Sequence, residues 1–298
     1  MDLTSSDSEN GMNLDQWIAS ARFLQFRGRR IAYWTAGSGR PLLLVHGYPT
    51  ASWDWHRIWP TLSRNRRLIA CDMLGFGLSD KPAIKYSIRD QADIQQALLA
   101  ETGIDEVDAL VHDYGVSVGQ ELLARQKEGS GTAQIGRMAF LNGGLFAEQH
   151  RPVALQKLGI SPIGFVLGWI INRQRFGQSF SGVFGADTQP TDEELDEHWR
   201  LITHKNGHRV THRVLRYIPE RTQNRERWVA ALQDAGVPIQ LINGGADPVS
   251  GRHLYDYFRE LVPDADAVCF DDVGHYPQLE APERVLAELG PFFAQRGV

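Results

Sequence analysis

The sequence predicts an α/β fold: a mostly parallel, eight-stranded sheet flanked by helices, with a helical cap inserted in its second half. Three observations predict it. Short apolar runs recur from residue 41 onward, as PLLLV, RLIAC, DALV, RMAFL, PIQLI and AVCF. Longer stretches with helical spacing, such as 90–102 and 116–127, separate them. Strands covered by crossover helices on both faces need such unbroken apolar runs, which makes the sheet parallel. Finally, the alternation stops between the run ending near Leu141 and the one starting at Pro238, where roughly ninety residues read as helical and rich in Arg, Trp and Phe.

Taken in order, residues 1–20 begin with the polar, acidic MDLTSSDSEN and are expected to be a flexible N-terminus. They lack the positive charge and apolar stretch of a secretory leader, so the expected location is cytoplasmic. FLQF at 23–26 and IAYW at 31–34 flank the turn Arg27-Gly28-Arg29 as a hairpin. The core is then 21–144 and 235–298, and the cap 145–234. Within the cap, the longest apolar run, around 159–171, holds Pro162, Gly164 and Gly168 and is too short to span a bilayer, but suits a greasy lid. TDEELDE at 191–197 is read as the first turns of a solvated helix.

Composition narrows the function. The 298 residues include 42% hydrophobic and 22% charged positions, enough for one sizeable core with an insertion. A formal net charge of −5 offers no broad positive field, which disfavours nucleic acid and acidic membranes and favours a small apolar organic substrate. Cys71 and Cys269 are too few for a disulfide framework and sit in apolar runs as small hydrophobes. No His, Cys or carboxylate pair has metal-ligand spacing, and no dinucleotide fingerprint is present, so neither metal nor cofactor is expected. A monomer or homodimer is expected.

Chemistry concentrates in four loops. LVHDYGVSVG at 110–119 follows a buried strand and opens a helix, the context of a nucleophile elbow, with Asp113 at its tip. Alone, Asp113 serves equally well as a helix N-cap. HGYP at 46–49 follows the PLLLV strand, where ligands bind in open α/β sheets. The amides of Tyr48 and Tyr114 would form an oxyanion hole; a plain Gly-Pro turn is the alternative. NGGADPVS places Asp247 after a strand, and VGHYPQLEAP places His275 before the last helix. Asp247 would orient His275, which would take a proton from water. A carboxylate attacking an acyl group would give a reactive mixed anhydride, so Asp113 suits displacement at saturated carbon.

HGYPTASWDW, DMLGFGLSDKP, VHDYG and GHYPQLE resemble the epoxide hydrolase and haloalkane dehalogenase branch of the α/β-hydrolases. LNGGLFAEQHRPVALQKLG and QLINGGADPV resemble a narrower group in it, the mesoderm-specific-transcript-like hydrolases of animals. The resemblance covers nearly all of the chain beyond residue 20, and implies the α/β-hydrolase fold and an aspartate nucleophile. It also implies two cap tyrosines that protonate an epoxide oxygen. Tyr217 matches the second, while Trp169 stands where the first is sought. The expected reaction is therefore epoxide hydrolysis, with haloalkane dehalogenation second, where Trp169 would supply an indole N–H. A non-catalytic ligand receptor is the third reading. His46, Trp53, Phe146 and Tyr276 are the expected substrate-binding residues.

Overall fold

The computed structural model describes residues 12–152, 154–161 and 163–294. Eight strands form one sheet: β1 (Arg22–Phe26), β2 (Arg29–Ala36), β3 (Arg40–Val45), β4 (Arg66–Cys71), β5 (Glu106–Val111), β6 (Gln134–Phe140), β7 (Ile239–Gly244) and β8 (Asp266–Phe270). Their spatial order is β1-β2-β4-β3-β5-β6-β7-β8. The pairs β1/β2 and β2/β4 are antiparallel and the rest parallel, matching the expected architecture. Successive side chains point to opposite faces of a strand, so Leu42 and Leu44 of β3 enter one apolar layer while Leu43 and Val45 enter the other. Helices Ile88–Glu101 and Tyr114–Lys127 cover the second of these layers.

The expectation of a loose start is corrected from Asn13 onward. Residues 1–11 lie outside the described residues, but Leu14–Ala19 is a helix closed by an Asn13/Gln16 capping box. Its anchor is Trp17, buried and stacked on Trp34 at 4.6 Å, with Trp53 and Trp59 edge-on at 5.7 and 5.0 Å. Burial of the Trp17 ring among the other three indoles opposes the entropy that holds a short terminal segment loose. Trp17→Ala is expected to cost about 3–5 kcal/mol of unfolding free energy, measured by denaturant titration.

Short helices fill the segment between β6 and β7. Its last helix, Arg225–Gln233, lies against the core: Trp228 is buried in the main apolar layer and donates its indole N–H to Glu121 on helix Tyr114–Lys127. The helix Asp192–Thr203 begins with a Thr191/Glu194 capping box and an acidic first turn, as TDEELDE implied. Among the described residues, no helix is long and apolar enough to cross a membrane.

Candidate active site

Asp113 occupies the turn between β5 and the helix Tyr114–Lys127, with φ 48° and ψ −106°, a strained region for a residue with a Cβ. The surroundings hold it there. Its N–H donates to Asn142 O at 2.7 Å, and the Gly115 N–H meets both His46 O and His112 O. The turn is tight enough that a Cβ on Gly115 would lie 2.3 Å from Val45 O. Val111, where a small residue is usual, is accommodated because its methyls lie over Gly119 of the following helix, which has no side chain to meet them.

The two oxygens of Asp113 see different environments. Oδ1 accepts the Tyr48 N–H at 2.8 Å and the Tyr114 N–H at 2.5 Å. Oδ2 faces His275 Nε2 at 3.2 Å, and His275 Nδ1 lies 2.6 Å from Asp247 Oδ2. Asp247 also accepts from the Val249 and Ser250 amides, the Ser250 hydroxyl and Asn142 Nδ2. Thus Asp113, Asp247, His275 and the Tyr48 and Tyr114 amides come together from the loops after β5, β7, β8 and β3.

Charge follows geometry. Burial opposes ionisation of both carboxylates, but His275 and the hydrogen bonds around them outweigh it and hold both below the usual carboxylate range. Burial likewise opposes a charged His275; attraction to Asp247 and hydrogen bonds to both carboxylates prevail and push it up to about 10. The resting site is therefore an imidazolium between two carboxylates. His112 is pulled down to about 3 by burial and by the positive His275, so it is neutral and donates from Nε2 to His275 O at 2.8 Å.

A cavity of about 100 Å³ opens over the Asp113/His275 pair. Tyr48 and Tyr276 stand on its wall with Phe176, Phe180, Trp199 and Ile202 of the segment between β6 and β7. Tyr276 lines this cavity; His46, Trp53 and Phe146 do not. His46 is fully buried in a structural role, with Nδ1 donating to Gly47 O and Nε2 accepting the Met73 N–H. Trp53 joins the tryptophan cluster and donates to Glu197. Phe146 packs edge-on to Tyr257. Trp169 faces away from the cavity, 70% exposed, beneath the Arg209 guanidinium. All four are aromatic or imidazole groups whose residue type suits core and pocket alike, so pattern alone does not separate the two.

Tyr217 lies one layer behind the wall. Its ring packs against Tyr114 at 4.8 Å and Tyr48 at 6.4 Å, and its hydroxyl is buried. Arg221, one helical turn on, was not singled out from sequence. It is buried, places its guanidinium 4.7 Å from the Tyr217 ring and donates from Nε to Ser117 Oγ. The i, i+4 spacing in YIPER is the signal that could have paired them. DMLGFGLSDKP proves architectural: Asp72 accepts the Ser52 and Leu78 amides and ties this loop to the HGYP segment.

Nucleophile position after β5, acid after β7 and histidine after β8, on this sheet order, is the arrangement of the α/β hydrolases. The model of the alpha/beta hydrolase family matches residues 42–288, and the chain belongs to that family. Over 285 residues it is 40% identical to mesoderm-specific transcript protein of Mus musculus, covering 90% of this chain and 84% of that one. LipZ of Mycobacterium tuberculosis is 35% identical over 248 residues, 83% of this chain and 86% of LipZ. Among solved structures, haloalkane dehalogenase DbeA from Bradyrhizobium elkani USDA94 superimposes with a TM-score of 0.78 at 23% identity, covering 92% of this chain and 97% of that one. At that identity the likeness concerns the fold.

Proposed function

We propose that this hydrolase opens an epoxide on a small apolar molecule through a covalent ester on Asp113. The observation that carries the reading is the divided carboxylate: Oδ1 is gripped by two amides while Oδ2 is left toward the cavity and His275. Oδ2 attacks the ring carbon, the C–O bond breaks, and the leaving oxygen takes a phenolic proton. Tyr48 presents its side chain on the wall, with Tyr217 packed behind it. Alkylation removes the charge of Asp113, one of the two carboxylates that keep His275 protonated. The imidazolium, now less basic, returns its proton to the phenolate by way of water, and the neutral imidazole can then accept a proton from the attacking water. Water attacks Cγ, Oδ1 becomes the oxyanion held by the Tyr48 and Tyr114 amides, and collapse releases the diol.

Dehalogenation is the second reading. Trp169 is too exposed to hold a halide, but Trp199 lies on the cavity wall as another indole.

His275→Gln is the test. The variant should still be alkylated but fail to hydrolyse the ester, so incubation with terminal epoxides and short haloalkanes should leave an adduct on the Asp113 peptide, read by mass spectrometry. An adduct from epoxides supports the proposal. One from haloalkanes alone moves the electrophile to the second reading. A folded variant with no adduct from any of them overturns the nucleophile assignment and favours a ligand receptor.

A further inference from the structure

The cap carries an apolar face that the cavity does not use. Ile163, Phe165, Trp169 and Ile170 are 58%, 56%, 70% and 39% exposed, and lie along the turn Gly164–Val166 and the helix Leu167–Ile170. Single exposed apolar residues need no explanation, but a cluster of large ones does. Ile84, itself 37% exposed, extends it from the core side. It shares a groove with Phe165, and Lys85, Arg213 and Arg216 line the same groove. On the other flank Arg209 covers the Trp169 ring at 4.5 Å, and Arg175 donates to Ile170 O.

What sets these cations apart is their place around an apolar cluster. Arg27, Arg173, Arg225 and Arg252 each meet a carboxylate. Among the described residues, Lys85, Arg175, Arg209, Arg213 and Arg216 meet none in ion-pair contact, although the chain carries a net charge of −5. Glu220, which shares the neighbouring groove with Lys85 and Arg216, is turned to the Ile88 amide.

We propose that this cap face docks peripherally on a bilayer surface containing anionic lipid, with Phe165 and Trp169 entering the headgroup boundary and the basic rim meeting lipid phosphates. Apolar side chains ringed by unpaired cations match an apolar boundary covered by negative charge, and tryptophan suits that depth because its ring is amphipathic. A second copy of the chain fits poorly. A two-fold contact on this face would bring Arg209, Arg213 and Arg216 against their own copies. The short elements beneath also face the cavity: His208, Thr211 and Ile171 line it, each next to or near a residue of the patch. Docking would therefore set the cap wall beside the lipid from which an apolar substrate partitions. The docking itself does not depend on the reaction proposed above.

The test is co-flotation of the full chain with vesicles of phosphatidylcholine alone, or of equal parts phosphatidylcholine and phosphatidylglycerol. Binding is expected to the mixed vesicles only, and to weaken as salt is raised. Phe165→Ser with Trp169→Ser, and separately Arg209→Gln with Arg213→Gln and Arg216→Gln, should each lower the bound fraction roughly tenfold or more, with unchanged circular dichroism. Brominated lipid should quench a fluorescence component that Trp169→Phe removes. The proposal is overturned if the parent chain fails to float, if the variants float as well as the parent, or if the patch variants instead dissociate a dimer indifferent to vesicles. None of these readouts requires turnover, so failure here leaves the Asp113 reading standing.

Discussion

Asp113→Asn should lower turnover by on the order of 10⁴- to 10⁶-fold, the scale of removing a nucleophile from a catalytic unit. The substitution keeps the shape and the oxygen that accepts the Tyr48 and Tyr114 amides, and asparagine tolerates the positive φ at this position. Only the attacking oxygen and its charge are lost. Steady-state kinetics should therefore collapse while thermal unfolding changes little, and no ester should form even when His275 is also replaced. A second readout belongs to the histidine. With one of its two carboxylates gone, the His275 imidazole should titrate below the value of about 10 to which the pair raises it, as followed by NMR. A variant that keeps its activity would remove Asp113 from the chemistry and leave it as the cap of its helix.

Asp247→Asn is expected to lower turnover by roughly 10⁴-fold, because an amide no longer holds His275 in the tautomer that presents a basic Nε2. Its signature should differ from that of Asp113→Asn: alkylation survives, so rapid quench with an epoxide should show one equivalent of ester that persists. The same variant should change how stability depends on pH. His275 has a folded pKa raised above 6.5, so its contribution is fully present below 6.5 and is lost as pH rises through about 10. Asp113 and Asp247 are lowered, so theirs is present above the ordinary carboxylate pKa and lost as pH falls through their folded values. Denaturant midpoints across both limbs should show Asp247→Asn flattening the alkaline one. An unchanged alkaline limb would mean that the His275–Asp247 contact does not hold the proton.

The mostly parallel sheet and the four loops that carry chemistry were readable in the sequence. These are local signals: unbroken apolar runs, helical spacing, and turns in which a named residue must follow a strand and precede a helix. Asp113, Tyr48, Tyr114, Asp247 and His275 were legible for that reason, since each follows the carboxyl end of a strand. Tertiary structure alone decided which way the aromatic and imidazole groups face. His46, Trp53 and Phe146 turned to the interior, Trp169 to the surface and Tyr217 to a second layer, while Phe176, Phe180 and Trp199 reached the cavity. Apart from Asp192–Thr203, the helices between β6 and β7 are short, with few turns over which a periodic pattern can declare one face. Each aromatic residue there could bury itself against core, cavity or another cap helix at similar gain. Trp17 shows the same limit at the other end of the chain: a six-residue helix is too short to persist alone, and it exists because three other indoles, distant in sequence, form the surface on which it packs.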